Sequence, residues 1–187
     1  MEYFFGNTIT LSNISLRHKI DFVIMGTSGA TGWEAFFVGT NTRSVITGID
    51  IPMLCIPLEA KFKKIKTIGF TTRFRTKDKK ALKTVLDIAK KTNAKVKCLY
   101  VKTSSSDVSK ETIEKWETEF MQEPIEFFVI TSDAVKETIL DFILYKEIDV
   151  LTMLTYKRGF FEGIFKPSLT KKMAANFEIP ILAIPID

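Results

Sequence analysis

Residues 20–57 return as residues 148–185, displaced by 128 positions and without a gap. Identities fall at Ile20/Ile148, Asp21/Asp149, Met25/Met153, Thr27/Thr155, Glu34/Glu162, Phe37/Phe165 and Thr42/Thr170. They resume at Ile51/Ile179, Pro52/Pro180, Leu54/Leu182, Ile56/Ile184 and Pro57/Pro185. Gly48 meets Asn176, and both residue types tolerate the left-handed conformation that ends a helix. An ungapped match with equivalent punctuation argues for duplication. Each copy reads as strand, loop, helix, strand. The strands are continuous apolar runs, the pattern of a parallel sheet covered by helices on both faces.

The later copy has further elements before it. Residues 64–70 read as a first strand, 78–91 as a helix with Leu82, Val85, Leu86 and Ala89 inward, and 94–101 as a second strand. Ser104, Ser105 and Ser106 mark a loop. A helix over 108–120 sets Ile113, Trp116 and Phe120 at core spacing; 125–131 is a third strand. A helix over 133–146 turns Val135, Ile139, Phe142 and Ile143 inward, and 148–153 and 181–184 are the fourth and fifth strands. The expected fold is α/β, Rossmann-like: a parallel five-stranded sheet with helices on both faces, plus a partial copy of the same fold. Only residues 1–19 precede the first copy's strand, enough for an edge fragment (3–5) and one helix (8–17). The organisation is therefore half a domain over 1–59, a linker over 60–64 and a complete domain over 65–187. Either a longer tandem protein has been shortened, or the half-domain leans on its neighbour or on another chain.

Directly after the apolar run Phe22, Val23, Ile24, Met25 come Gly26, Gly29, Gly39 and Thr40, in the spacing G-x2-G-x9-G-T. Glycines in such a loop let backbone N–H groups approach a phosphate, and the following helix N-terminus adds its dipole. Ser28 and Asn41 are further phosphate contacts by position, though turns favour both residues anyway. Gly32 lies outside the spacing. In the later copy Gly26, Gly29 and Gly39 become Leu154, Lys157 and Pro167. Side chains there fill the space a phosphate would use, and a proline removes one donor.

The arrangement resembles the universal stress protein family in its tandem form. Gly26, Gly29, Gly39 and Thr40 match the family's nucleotide signature. Asp21 ahead of the strand, Met25 before the first glycine and the terminal strand 51–57 resemble its flanks. The resemblance implies an ATP-binding fold in which the triphosphate lies on the glycine loop, with Gly26, Ser28, Gly29, Gly39, Thr40 and Asn41 as cofactor-binding residues. It also implies adenine held near an Asp after the first strand. The later copy places Arg73 at that point, so its loop is not expected to bind ATP in the usual pose. Arg73, Lys157 and Ser168 face one cleft, where solvated rim residues are the plainer reading. The implied role is a stress-response or signalling protein, nucleotide-binding and without robust catalysis. The competing reading is a structural or interaction module that no longer binds nucleotide. Family members commonly join through terminal strands, so the edges 53–56 and 181–184 are expected to pair, in a homodimer or a tandem pseudo-dimer. An unidentified protein partner fits the same reading.

Other functional classes find little support. The single histidine, His18, sits between Arg17 and Lys19 at an expected helix end, where the dipole favours it. No Ser–His–carboxylate set and no metal-ligand cluster can be built from His18, Cys55 and Cys98, and no Walker A pattern occurs. No catalytic or metal-ligating residue is expected, and the chain reads as a non-enzyme. The net charge of +5 concentrates between Lys61 and Lys80. That stripe reads as a solvated linker and helix start, because no nucleic-acid motif or aromatic platform accompanies it. No apolar run reaches the roughly 20 residues of a membrane span, and no basic leader precedes an apolar stretch. Two lone cysteines in apolar strands fit a reducing cytoplasm. Trp33, Phe36 and Phe37 align with Phe161, Ile164 and Phe165; helical spacing favours packing, and residues 159–165 are the best contact patch.

Overall fold

The computed structural model describes residues 19–27, 50–57, 60–61, 63–156 and 179–186. Among them are seven strands and three helices: β1 (Val23–Thr27), β2 (Met53–Pro57), β3 (Thr67–Thr71), α1 (Thr76–Thr92), β4 (Lys95–Lys102), α2 (Lys110–Glu119), β5 (Ile125–Thr131), α3 (Val135–Tyr145), β6 (Val150–Tyr156) and β7 (Ile181–Ile186). The expected edge fragment 3–5 and helix 8–17 lie outside the described residues.

Two compact units divide the chain. One draws on Met1–Lys61 and Thr155–Pro185; the other runs Phe62–Leu154. In the first unit β1 and β2 run parallel, Val23 opposite Met53 and Gly26 opposite Ile56. The other side of β2 pairs antiparallel with β7, Leu54 opposite Leu182. The two terminal strands thus join within one chain, and β7 groups with the earlier strands.

The second unit has the strand order β6-β3-β4-β5, parallel at every pairing described. Parallel neighbours require crossovers, which α1, α2 and α3 provide. α1 buries Ala81, Leu82, Val85, Leu86 and Ala89 along one stripe. Each large side chain of that stripe contributes about 1.5–3 kcal/mol on burial. The helix stops at Asn93, whose left-handed φ of 54° lets Ala94 N–H reach back to the Ala89 carbonyl at 2.8 Å. α3 stops the same way: Glu147 has φ 49° and Ile148 N–H donates to the Ile143 carbonyl at 3.0 Å.

Helices lie on both faces. Neighbouring residues of a strand point oppositely. Phe127 stacks with Phe74, which also meets Trp116 of α2, whereas Phe128 meets Phe142 of α3. One glycine is required by packing. A Cβ on Gly69 of β3 would stand 2.9 Å from Ile148 Cγ2 and 3.3 Å from Leu151 Cδ1. Its absence lets β3 lie against β6.

The 128-residue displacement reappears in the backbone. β1 so displaced falls inside β6, and β2 inside β7. Lys19 and Glu147, equivalent under it, both have φ 49°.

Candidate functional site

Ligands of parallel α/β folds gather at the carboxyl ends of the strands. Gly26 is the penultimate residue of β1 at that end, so the strand runs two residues past the expected break at Met25. It is exposed, and a Cβ placed on it would meet no described atom within 4 Å. Nothing described around Gly26 therefore demands a glycine. Ser28, Gly29, Gly39, Thr40 and Asn41 lie outside the described residues, as do Gly32, Trp33, Phe36, Phe37 and His18.

At the equivalent place in β6 stands Leu154, 7% exposed. Lys157, Pro167, Ser168 and the patch 159–165 lie outside the described residues. Arg73 follows β3 and is exposed, as expected for a rim residue. The loop it occupies is closed on itself. Asp78, in the first turn of α1 and buried, accepts hydrogen bonds from Thr72 Oγ1 at 3.0 Å, Arg73 N–H at 2.8 Å and Arg75 N–H at 3.3 Å. Arg75 has no acceptor to return, so this is half of a capping box. Thr72 Oγ1 in turn receives Phe74 N–H at 2.8 Å. Phe74 takes a left-handed φ of 55° and drives its ring inward, edge-on to Tyr100 at 5.3 Å and to Trp116 at 5.1 Å. Left-handed backbone at a bulky residue costs of order 1–3 kcal/mol, offset here by ring burial and by the Asp78 bonds. Sequence reasoning missed this closure. Its one visible signal was an acidic residue in the first turn of the helix.

A polar cleft of about 340 Å³ opens at the carboxyl ends of β4 and β5. Lys102, Thr131, Ser132 and the loop hydroxyls line it. Asp133 Oδ1 accepts Ser104 N–H at 2.7 Å and Ser104 Oγ at 2.9 Å. The backbone bond first, then the hydroxyl, holds the Asp133 carboxyl below its ordinary value, so it is a poor proton acceptor at neutral pH. Ser106 Oγ accepts Thr103 N–H at 2.8 Å. The cleft is a hydroxyl-rich surface with its carboxylate already engaged; its one sequence signal was the serine run.

Both cysteines are buried and free. Burial pushes the Cys55 thiol up to about 12. Burial, with the Asp78 charge second, raises Cys98 as well. Neither offers a thiolate at neutral pH. Among the described residues no group of three or more His, Cys, Asp or Glu side chains could hold a metal ion. No described helix is long and apolar enough to cross a membrane.

Solved structures share this arrangement of strands and helices over nearly the whole chain. The fold is that of the universal stress proteins. A universal stress protein from Archaeoglobus fulgidus DSM 4304 superposes with TM-score 0.68 at 16% identity, over 96% of this chain and 65% of that one. A putative universal stress protein from Pseudomonas aeruginosa UCBPP-PA14 gives TM-score 0.69 at 12% identity, over 97% and 69%. A functionally unknown protein from Pseudomonas aeruginosa PAO1 gives TM-score 0.68 at 12% identity, again over 97% and 69%. This chain thus spans about two thirds of the length of these three structures. No protein-family model matches the sequence, and no curated protein sequence matches it.

Proposed function

We propose that the chain is a nucleotide-binding protein of the universal stress type. In this reading ATP phosphates rest on Gly26, Ser28, Gly29, Gly39, Thr40 and Asn41, and binding rather than turnover is the output. One observation carries it: Gly26 stands near the carboxyl end of a parallel strand, with no described atom within 4 Å of a Cβ placed on it, where the later copy has Leu154. Bound there, ATP would supply an anionic triphosphate, which the amides of the glycine segment and the N-terminus of the expected helix would attract. The residues fit that group at Gly26. They do not fit it at Leu154, nor in the Asp78-locked loop after β3. A role in cytoplasmic stress signalling belongs to the same reading.

Calorimetric titration of the whole chain with Mg-ATP tests it. Binding should be measurable and should weaken at least about tenfold, roughly 1.4 kcal/mol, in Gly26→Leu and in Gly39→Pro. Leu154→Gly should leave it unchanged. Equal binding by Gly39→Pro would put the site elsewhere. No heat and no thermal shift at millimolar ATP would favour the second reading, an interaction module. That reading is supported by the antiparallel pairing of β2 with β7 and by the self-closed loop after β3.

A further inference from the structure

The basic stretch of the sequence takes a definite form on the second unit. Between Thr72 and Leu86 stand six cations, Arg73, Arg75, Lys77, Lys79, Lys80 and Lys83, and one carboxylate, Asp78. Asp78 is 1% exposed and faces the loop amides, not solvent. Its bonds from Arg73 N–H at 2.8 Å and Arg75 N–H at 3.3 Å fix the backbone that carries both arginines against the first turn of α1. Lys79 and Lys83 reach Glu119 of α2. Arg73, Arg75, Lys77 and Lys80 are exposed, and among the described residues no carboxylate pairs with any of them. This placement works against the free chain. The N-terminus of a helix is the positive end of its dipole, where cations are unfavourable, and here like charges crowd it. A polyanion on this face would remove that cost.

We infer that Arg73, Arg75, Lys77 and Lys80 form a face that binds the phosphate backbone of a nucleic-acid duplex without reading its sequence. The surface chooses among polyanions. The apolar residues of α1 are buried, apart from a half-buried Ile88, so the helix has nothing to insert into a lipid surface. A flexible acidic peptide would lose chain entropy on ordering and find no apolar anchor on α1 in return. α1 carries no aromatic ring on which the bases of a single strand would stack. A duplex needs no such platform. It is already rigid, it carries one charge per about 1.7 Å of axis, and its backbone is held by fixed cations alone. This inference goes beyond the nucleotide reading and uses neither its residues nor ATP.

Fluorescence anisotropy of a labelled mixed-sequence duplex of about 20 base pairs, titrated with the whole chain, tests it. At about 50 mM salt the dissociation constant should lie below about 100 µM, and log K should fall with log salt at a slope of about −3 to −4, for four phosphates contacted. Arg75→Gln, Lys77→Gln and Lys80→Gln together should weaken binding at least about tenfold and bring the slope to about −1. Lys95→Gln, Lys110→Gln and Lys115→Gln together remove the same charge from exposed positions elsewhere on the unit, and should change affinity by less than about threefold. Arg75→Lys, Lys77→Arg and Lys80→Arg together keep the charge and should bind within about twofold of the parent. Equal losses in the two glutamine variants would overturn the proposal, since net charge alone would then be the cause. So would a loss in the charge-retaining variant, no binding at low salt, or a single strand or polyglutamate bound as tightly as the duplex. Phosphatidylserine vesicles that take the chain from the duplex would make the partner a membrane and overturn it too.

Discussion

Residues 20–26 and 148–154 write one pattern in two surroundings. Both open on Ile-Asp, follow a left-handed residue and run on as an apolar strand. In β6 every residue from Val150 to Thr155 is buried; in β1 Ile24 and Gly26 are exposed. Propensity cannot account for the contrast, because the local patterns agree. It comes from the neighbour: β6 has β3 on its edge, and the equivalent edge of β1 has no strand among the described residues. The carboxyl ends diverge in the opposite sense. The covered strand carries a bulky Leu154, and the uncovered one keeps Gly26.

The largest test of this comparison is a charge on each strand. Thr152→Lys should cost more than about 4 kcal/mol or abolish folding, because it buries an ammonium without a partner. Ile24→Lys should change stability by less than about 0.5 kcal/mol. Urea midpoints of the two variants measure this, and similar losses would break the comparison. Next comes a methyl group on each glycine. Gly69→Ala should cost about 1–3 kcal/mol, since the branched Ile148 side chain stands in the way. Gly26→Ala should be near neutral in stability.

The smallest effect sharpens the role of the shared aspartate. Burial would raise the Asp149 carboxyl, but Lys63 and the amides of Lys66 and Thr67 outweigh it and hold the group below its ordinary value. A depressed folded pKa stabilises above the unfolded value of about 3.9 and loses that contribution as pH falls through the folded value. Asp149→Asn should therefore cost about 1 kcal/mol at pH 7, modest because Lys63 is exposed and screened. The difference should shrink as pH falls below about 4. Thermal midpoints across pH 3 to 7 check this.

Much of the fold was legible. α1 spans Thr76–Thr92 against an expected 78–91, and β5 spans the expected 125–131. Leu82, Val85, Leu86, Ala89, Trp116, Phe120, Phe142 and Ile143 are buried as their spacing demanded, while Ile113, Val135 and Ile139 are half-buried. First-turn residues were the weak point. The loop after β3 was read through Arg73, an exposed side chain. The residue that organises it is Asp78, five positions on, inside the expected helix. No pattern of hydrophobicity marks a carboxylate that gathers three donors from the preceding loop. The polar cleft at Asp133 was equally hidden, because Ser104 and Asp133 meet only through the pairing of β4 with β5.

Sequence alone determined the alternation of strands and helices, the 128-residue repeat and the glycine loop that only the earlier copy carries. Those are properties of neighbours along the chain, set by side-chain period, turn chemistry and steric freedom at glycine. Tertiary structure decided that β2 and β7 pair antiparallel, that Phe74 turns inward against Tyr100 and Trp116, and that Ile24 stays in water while Thr152 does not. Each depends on which distant segment supplies the missing hydrogen bonds and apolar contact, and a strand does not encode the identity of its neighbour.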